Sequence, residues 1–305
     1  MTGPAGEALS IAAVERDTGL PKDTLRVWER RYGFPQPGRD ALGERTYPRE
    51  QVDKLRLLKR LMDAGHRPGK LVGRDVEELR ALADAPAAEA PRAAAPPGYW
   101  ELLKAHDVPG VRRQLQQALL SMGLERFVTE HVAPLNRAVG EGWLRGELSV
   151  AQEHIYSEAL QLVLRQAIGN VPAPPGDAPR VLMATLPQEG HGLGLLMAEA
   201  MLSLHGWRCL SLGVKVPMDD LVTAARLVEA DIVALSFSSS FRPAQATEAL
   251  AELRRRLPAR TGIWAGGGSL ARQRHLPPGV EAVPDIALMP VLMEGWRQAA
   301  VTPPN

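Results

Sequence analysis

Apolar residues recur at helical spacing through the first quarter of the chain. Val52, Leu55, Leu58 and Leu61–Met62 line one face of a helix that Pro48 opens and Gly65 ends. Upstream, Ser10 is placed to cap a helix from Ile11 to Asp17, and Gly19 stops it. Pro21 suits the first turn of the next helix, which runs to about Arg31. Gly33, Pro35, Pro37 and Gly38 then break the pattern, and a fourth helix reaches about Leu82. Residues 99–169 keep a long helical period with few strand signals. From residue 180 the pattern changes. Arg180–Leu186, Trp207–Gly213, Asp231–Phe237 and Thr261–Ala265 are short apolar runs separated by helical stretches. That alternation predicts a parallel sheet with crossover helices.

Two segments punctuate these blocks. Residues 84–98 (DAPAAEAPRAAAPPG) and 170–179 (NVPAPPGDAP) lack the apolar surface to fold alone, and proline makes both semi-extended spacers. The expected division is therefore 1–83, a linker at 84–98, 99–169, a linker at 170–179, and 180–305.

Composition narrows the classes. Hydrophobic residues make up 45% and charged residues 23%, an ordinary globular balance. No charged-then-apolar leader opens the chain, and no apolar run reaches about 18 residues, so a cytoplasmic protein is expected. The single cysteine, Cys209, excludes an intramolecular disulfide and is too little for a thiolate metal sensor. It lies in an apolar stretch and reads as a small core residue. Net charge is only +1, yet residues 11–70 hold 14 Lys and Arg against 9 Asp and Glu. That local excess fits phosphate neutralisation.

The arrangement within this basic block supports DNA binding more than its charge does. A short helix, a Thr-Gly-Leu turn and a second helix from Pro21 form a helix-turn-helix, whose second helix would enter the major groove by its N-terminal end. Lys22, Thr24, Arg26 and Arg30 lie on that helix. Arg31, Tyr32, Arg39, Arg45 and Tyr47 frame the following loop, which suits a wing gripping the flanking backbone. Trp28 reads equally as a core residue or a DNA contact. The run TLRVWERRYGFPQPGR…GERTYPREQVDKLRLLKRLMDAG resembles the N-terminal domain of MerR-type regulators across about residues 9–75. The resemblance implies dimeric binding to a pseudo-palindromic operator.

In the last block, the loop after the first strand reads Pro187-Gln188-Glu189-Gly190-His191-Gly192-Leu193-Gly194. A glycine-rich turn at the carboxyl end of a parallel strand is where α/β sheets bind ligands. His191 could hold a metal through one ring nitrogen while another group orients the ring. Taken alone, the histidine reads as a surface residue and the glycines as turn formers. The loop nevertheless resembles the base-off cobalamin motif, carboxylate-x-His-x-x-Gly, on Glu189, His191 and Gly194, with glutamate where aspartate is usual. Ser236-Phe237-Ser238 and Gly266-Gly267-Gly268 stand where that family carries its other signatures, Ser238 being a departure. The resemblance implies His191 as the lower cobalt ligand. It also implies Ser236, Ser238, Gly266 and Gly267 along the nucleotide tail.

Nine residues separate Trp143 from Glu153-His154 in the helical block. That spacing is similar to the light-sensing cobalamin repressors of the CarH/LitR type. The resemblance implies a four-helix bundle over the corrin, with Trp143 and Val150 near the 5′-deoxyadenosyl group and Glu153 and His154 bonding to it. Those sensors carry histidine directly after the tryptophan. This chain has Leu144, which cannot ligate cobalt, and His131 is a substitute outside the motif.

The expected fold is multidomain: an all-α winged helix-turn-helix, a four-helix bundle and an α/β Rossmann-like cobalamin-binding domain. The expected function is a light-responsive repressor that uses adenosylcobalamin and binds operator DNA as a homo-oligomer, dimer or tetramer. One alternative is a MerR-type regulator whose module is a dimerisation or partner-binding scaffold without cofactor. A cobalamin-dependent methyltransferase or mutase component would need a substrate barrel of about 250 residues, for which the chain has no room. An enzyme is not expected.

Overall fold

The computed structural model describes residues 8–40, 43–63, 66, 68–84, 96–271, 273 and 276–301. Most of the first linker (85–95) and the helix stop expected at Gly65 lie outside the described residues. The chain divides into two compact units, one of residues 1–92 with 141–150, the other of residues 93–140 with 151–305.

In the first unit, β1 (Leu9–Ser10) leads into α1 (Ile11–Thr18) and α2 (Lys22–Tyr32). Ser10 caps α1 by accepting from the Ala13 N–H at 3.3 Å. Gly19 and Gly33 end the two helices in the left-handed region, at φ 68° and 67°, which glycine adopts without a Cβ penalty. β2 (Gly38–Arg39) and β3 (Arg45–Tyr47) follow, then α3 (Arg49–Asp63) and α4 (Val76–Asp84). The strands form an antiparallel sheet ordered β1-β3-β2, so the wing adds β-structure to a head expected to be all-α. Strands of two or three residues are too short to show a period of 2. Val14, Leu25, Trp28, Val52, Leu55 and Leu58 fill one core. Arg56 grips Asp17 through two hydrogen bonds, 2.8 and 2.7 Å, and so ties α3 to α1.

The second unit opens with helices. These are α5 (Tyr99–Lys104), α6 (Val108–Met122), and a continuous helix made of α7 (Leu124–Arg126), a π-helical turn (Phe127–Val132) and α8 (Ala133–Arg145). The end of α8 belongs to the first unit. α9 (Val150–Gly169) follows the short α5, α6 and the continuous α7–α8 helix. Tyr99, Leu103, Val111, Leu115, Phe127, Leu135, Tyr156 and Leu160 are buried among them.

The α/β module has β4 (Arg180–Ala184), α10 (Leu193–Leu204), β5 (Arg208–Gly213), α11 (Met218–Leu227), β6 (Ile232–Ser236), α12 (Pro243–Arg256), β7 (Gly262–Gly266), β8 (Val280–Val283) and α13 (Met289–Val301). All five strands are parallel, in the order β5-β4-β6-β7-β8. β8 carries glutamate at an edge and gave no apolar run to read. Leu182, Ala184, Val233, Leu235, Ile263 and Ala265 point toward α11 and α12. Trp264 points the other way, onto Trp207 (5.5 Å between rings), which also meets Trp296 of α13 (5.2 Å). Burial on both faces explains why β4, β6 and β7 read as continuous apolar runs, whereas β5, at the sheet edge, leaves Leu210 and Leu212 exposed.

The segment at 170–179 is less free than its composition implies. The Arg208 backbone N–H donates to Pro179 O at 2.9 Å, the Arg208 guanidinium reaches Pro175 O at 3.2 Å, and Ala178 is buried. Its proline-rich chain is anchored along the start of β5.

Candidate functional site

The strand order reverses between β4 and β6: the chain leaves β4 for β5 on one side, then crosses to β6 on the other. The loops after these two strands therefore part and leave a crevice, where doubly wound sheets hold ligands. Glu189, in the loop after β4, is 1% exposed. One of its oxygens accepts from the His191 backbone N–H (2.9 Å) and from His191 Nδ1 (2.6 Å). The other accepts from the Ser238 N–H (2.7 Å) in the loop after β6. Burial pushes this carboxyl up, but the bonds from His191 and Ser238 outweigh it and hold Glu189 below the usual carboxylate range. Thr185, fully buried, donates to Glu189 O at 2.7 Å and accepts from the Lys215 N–H at 3.0 Å, bracing the loop. The His191 side chain stays two-thirds exposed with its ring orientation set by the carboxylate. A metal on this ring would take the second nitrogen, Nε2.

Small residues line the rest of the crevice for steric reasons. A Cβ on Gly194 would lie 2.6 Å from Ser236 Oγ. Gly267 has φ 106°, and a Cβ there would lie 2.2 Å from Phe237 O. Gly266 would meet Val283 O at 2.9 Å. Just beyond, the Ser269 hydroxyl is buried with no hydrogen-bond partner. A polar ligand lying along the turn would supply one. An oriented imidazole at the switch point and an orphaned hydroxyl after the glycine turn together fit cobalamin's cobalt and nucleotide tail. Among the described residues no three His, Cys, Asp or Glu side chains gather to hold a metal ion by themselves.

α10 starts directly after this loop and is gripped by the bundle. Asn136 of α8 accepts from Tyr156 and donates to Met197 Sδ at 3.1 Å. Glu125 meets His205, at the end of α10, at 3.2 Å. On the first turn of α9, Glu153 accepts from Ser157 Oγ (2.5 Å) and pairs with His154 Nδ1 (2.8 Å). Ser157 was not anticipated, although its spacing of four from Glu153 puts it on the same helix face. Trp143 is half-buried in the last turn of α8, which closes where the Gly146 N–H meets Trp143 O at 3.0 Å. Val150 opens α9. Both belong to the first unit. His131 is not presented as a spare ligand. Its Nε2 lies 2.8 Å from the Tyr99 hydroxyl, its ring stacks on Phe127, and burial lowers its pKa. Cys209 is half-buried beside Ser203, its thiol pushed up to about 12 by burial.

In the head, Arg26 and Arg30 are exposed on α2, and Arg26 pairs with Asp23 at 3.2 Å. Lys22 turns back to Glu15 at 3.4 Å, and Thr24 is half-buried. Arg31 lies over the Tyr32 ring, which meets Trp28 edge-on. Trp28 itself is core, 4% exposed. Arg39 is exposed on the wing and bonds to Gly43 O at 2.6 Å. Arg45 ties the wing to α2 through Glu29 at 3.0 Å. Tyr47 must be corrected as a DNA contact. It is fully buried, paired through β3 with Leu9 of β1 and packed into the core with Val14, Leu25 and Val52.

These sites and folds define a MerR-type DNA-binding regulator joined to a cobalamin-binding sensory region. Residues 9–71 match the MerR HTH family regulatory protein, and residues 98–167 and 179–283 each match a B12 binding domain. The chain belongs to this family of B12-binding MerR regulators. It is 34% identical over 258 residues to the HTH-type transcriptional repressor CarH of Myxococcus xanthus, a match covering 82% of this chain and 86% of that one. It is likewise 34% identical over 237 residues to the repressor CarA of the same organism, covering 77% and 78%. Among solved structures, the monomethylamine corrinoid protein of Methanosarcina barkeri has a similar fold (TM-score 0.51, 16% identity, 65% of this chain and 96% of that one). Among the described residues, no helix is long and apolar enough to cross a membrane.

Proposed function

We propose that this protein is a cytoplasmic transcriptional repressor that holds adenosylcobalamin in its sensory half and releases operator DNA on illumination. The observation that carries this reading is His191, oriented at the switch point by the buried Glu189. Ser236, Ser238, Gly266 and Gly267 would hold the nucleotide tail. Trp143, Val150, Glu153 and His154 are assigned to the upper-face group by resemblance alone. When bound, adenosylcobalamin would supply a cobalt–carbon bond that light breaks.

The chain's own part is to turn a change at that site into a change of packing. Glu189 fixes the His191 ring, and the loop that carries it continues into α10. α10 in turn meets the bundle at Met197 and His205. A shift of His191 would therefore pull on the bundle through one helix. With Leu144 where the light sensors carry histidine, and His131 occupied by Tyr99, the protein would finish its light reaction without a second histidine ligand. The protein acts as a homo-oligomer, whose assembly sets how many heads reach the operator. It is not an enzyme.

The test is an absorption spectrum of the protein loaded with adenosylcobalamin and freed of excess, taken in the dark and after green light, with size-exclusion chromatography of both. Retained pigment whose spectrum and assembly both change on illumination is the expected result. His191→Ala should weaken retention and shift the spectrum toward a form without a histidine lower ligand. Retention with no change in assembly would remove light as the signal. No retention would leave the module a scaffold.

A further inference from the structure

The second helix of the head carries a side chain that its own packing does not use. α2 buries Leu25 and Trp28. On the opposite side, at spacings of three, four and seven, lie Asp23, Arg26, Val27 and Arg30. Val27 is 43% exposed, and among the described residues of the head it is the one large hydrophobic side chain left in solvent. Valine is a poor choice there on local grounds. Its β-branch restricts χ1 in a helix, and an exposed position returns no packing energy.

We propose that Val27 reads the 5-methyl group of a thymine in the major groove. The inference rests on the head binding DNA through α2. A helix presented to the major groove meets edges that are almost all hydrogen-bonding groups. The thymine methyl is the apolar exception, and an aliphatic side chain is its natural partner. Val27 stands between Arg26 and Arg30 on the stripe, so the cations that draw the helix to phosphate or guanine bring its methyls to the base edges. The Asp23–Arg26 pair restrains the neighbouring guanidinium beside it.

The experiment uses the full chain. Binding sites are selected from random duplexes, and the selected thymines are then replaced one at a time by uracil, which keeps base pairing and removes only the methyl. Wild type should select thymine at a fixed position in the half-site. Uracil at that position should weaken binding about fourfold per contacted half-site, the equivalent of one buried methyl at ~0.8 kcal/mol. Val27→Ala should lose the thymine preference and become indifferent to uracil, with unchanged or higher melting temperature. Arg26→Ala, as a contrast, should bind more weakly yet keep its sensitivity to uracil. A Val27→Ala protein that still prefers thymine and still discriminates uracil overturns the proposal. If wild type selects no sequence at all, DNA reading by the head fails, and this inference fails with it.

Discussion

The head and the α/β module solve recognition in opposite ways. On α2 the working side chains stand in water: Arg26 and Arg30 are exposed, and Asp23, which pairs with Arg26, is itself 90% exposed. In the module the decisive group is Glu189, 1% exposed, which no ligand need touch. The difference follows from the partners. A polyanion brings dense charge of its own, so mobile surface cations suffice and counterion release drives binding. A ligand held through one imidazole needs that ring aimed, and aim requires a buried acceptor with its donors fixed. Substitutions should therefore act through stability in the module and through affinity in the head.

The largest effect expected from this contrast is in the module. Glu189→Leu leaves the Ser238 N–H and both His191 donors without their acceptor. The exposed His191 ring can turn to water, so the cost falls on the two partly buried backbone N–H groups, and a loss of about 2 kcal/mol is expected. Chemical denaturation should show it in the sensory half, together with failure to retain cobalamin. A loss below about 1 kcal/mol would mean that the carboxylate does not organise the loop. In the head, Arg26→Ala should reduce operator affinity about tenfold, some 1.4 kcal/mol, with the cobalamin spectrum unchanged. Titration against labelled operator at fixed salt measures it, and unaltered affinity would displace α2 from the groove. The smallest effect is expected at Tyr47, whose buried hydroxyl has no partner. Tyr47→Phe should leave DNA affinity alone and change stability by less than about 1 kcal/mol, toward a more stable head. Weakened DNA binding would return Tyr47 to the interface and blur the contrast.

Much of the molecule was legible because its signals are local. Ser10, Gly19 and Pro21 mark helix ends through their own backbone preferences, and the helices begin and end within a residue or two of those marks. The four apolar runs of the module became β4 to β7: β4, β6 and β7 are buried on both faces, and β5 keeps an apolar run although it is an exposed edge strand. β8 escaped because an edge strand with glutamate in it carries no such run. The wing strands escaped because two residues hold no period. Tyr47 was misread for a related reason: the aromatic beside Arg45 and Thr46 looked like part of a grip, and only the register of β3 on β1 turns it inward.

The site divides along the same line. The types of residue at 189, 191 and 194, and their spacing, are properties of one loop and can be read from the chain. That Glu189 also receives the Ser238 N–H, 49 residues on, depends on β4 and β6 lying side by side. The same holds for Gly194, whose missing side chain makes room for Ser236, and for His131, whose ring nitrogen is taken by Tyr99. Chain order sets backbone preference, periodicity and the chemistry available. Which groups meet is decided when distant segments pack, because burial leaves each polar atom only the partners that packing brings to it.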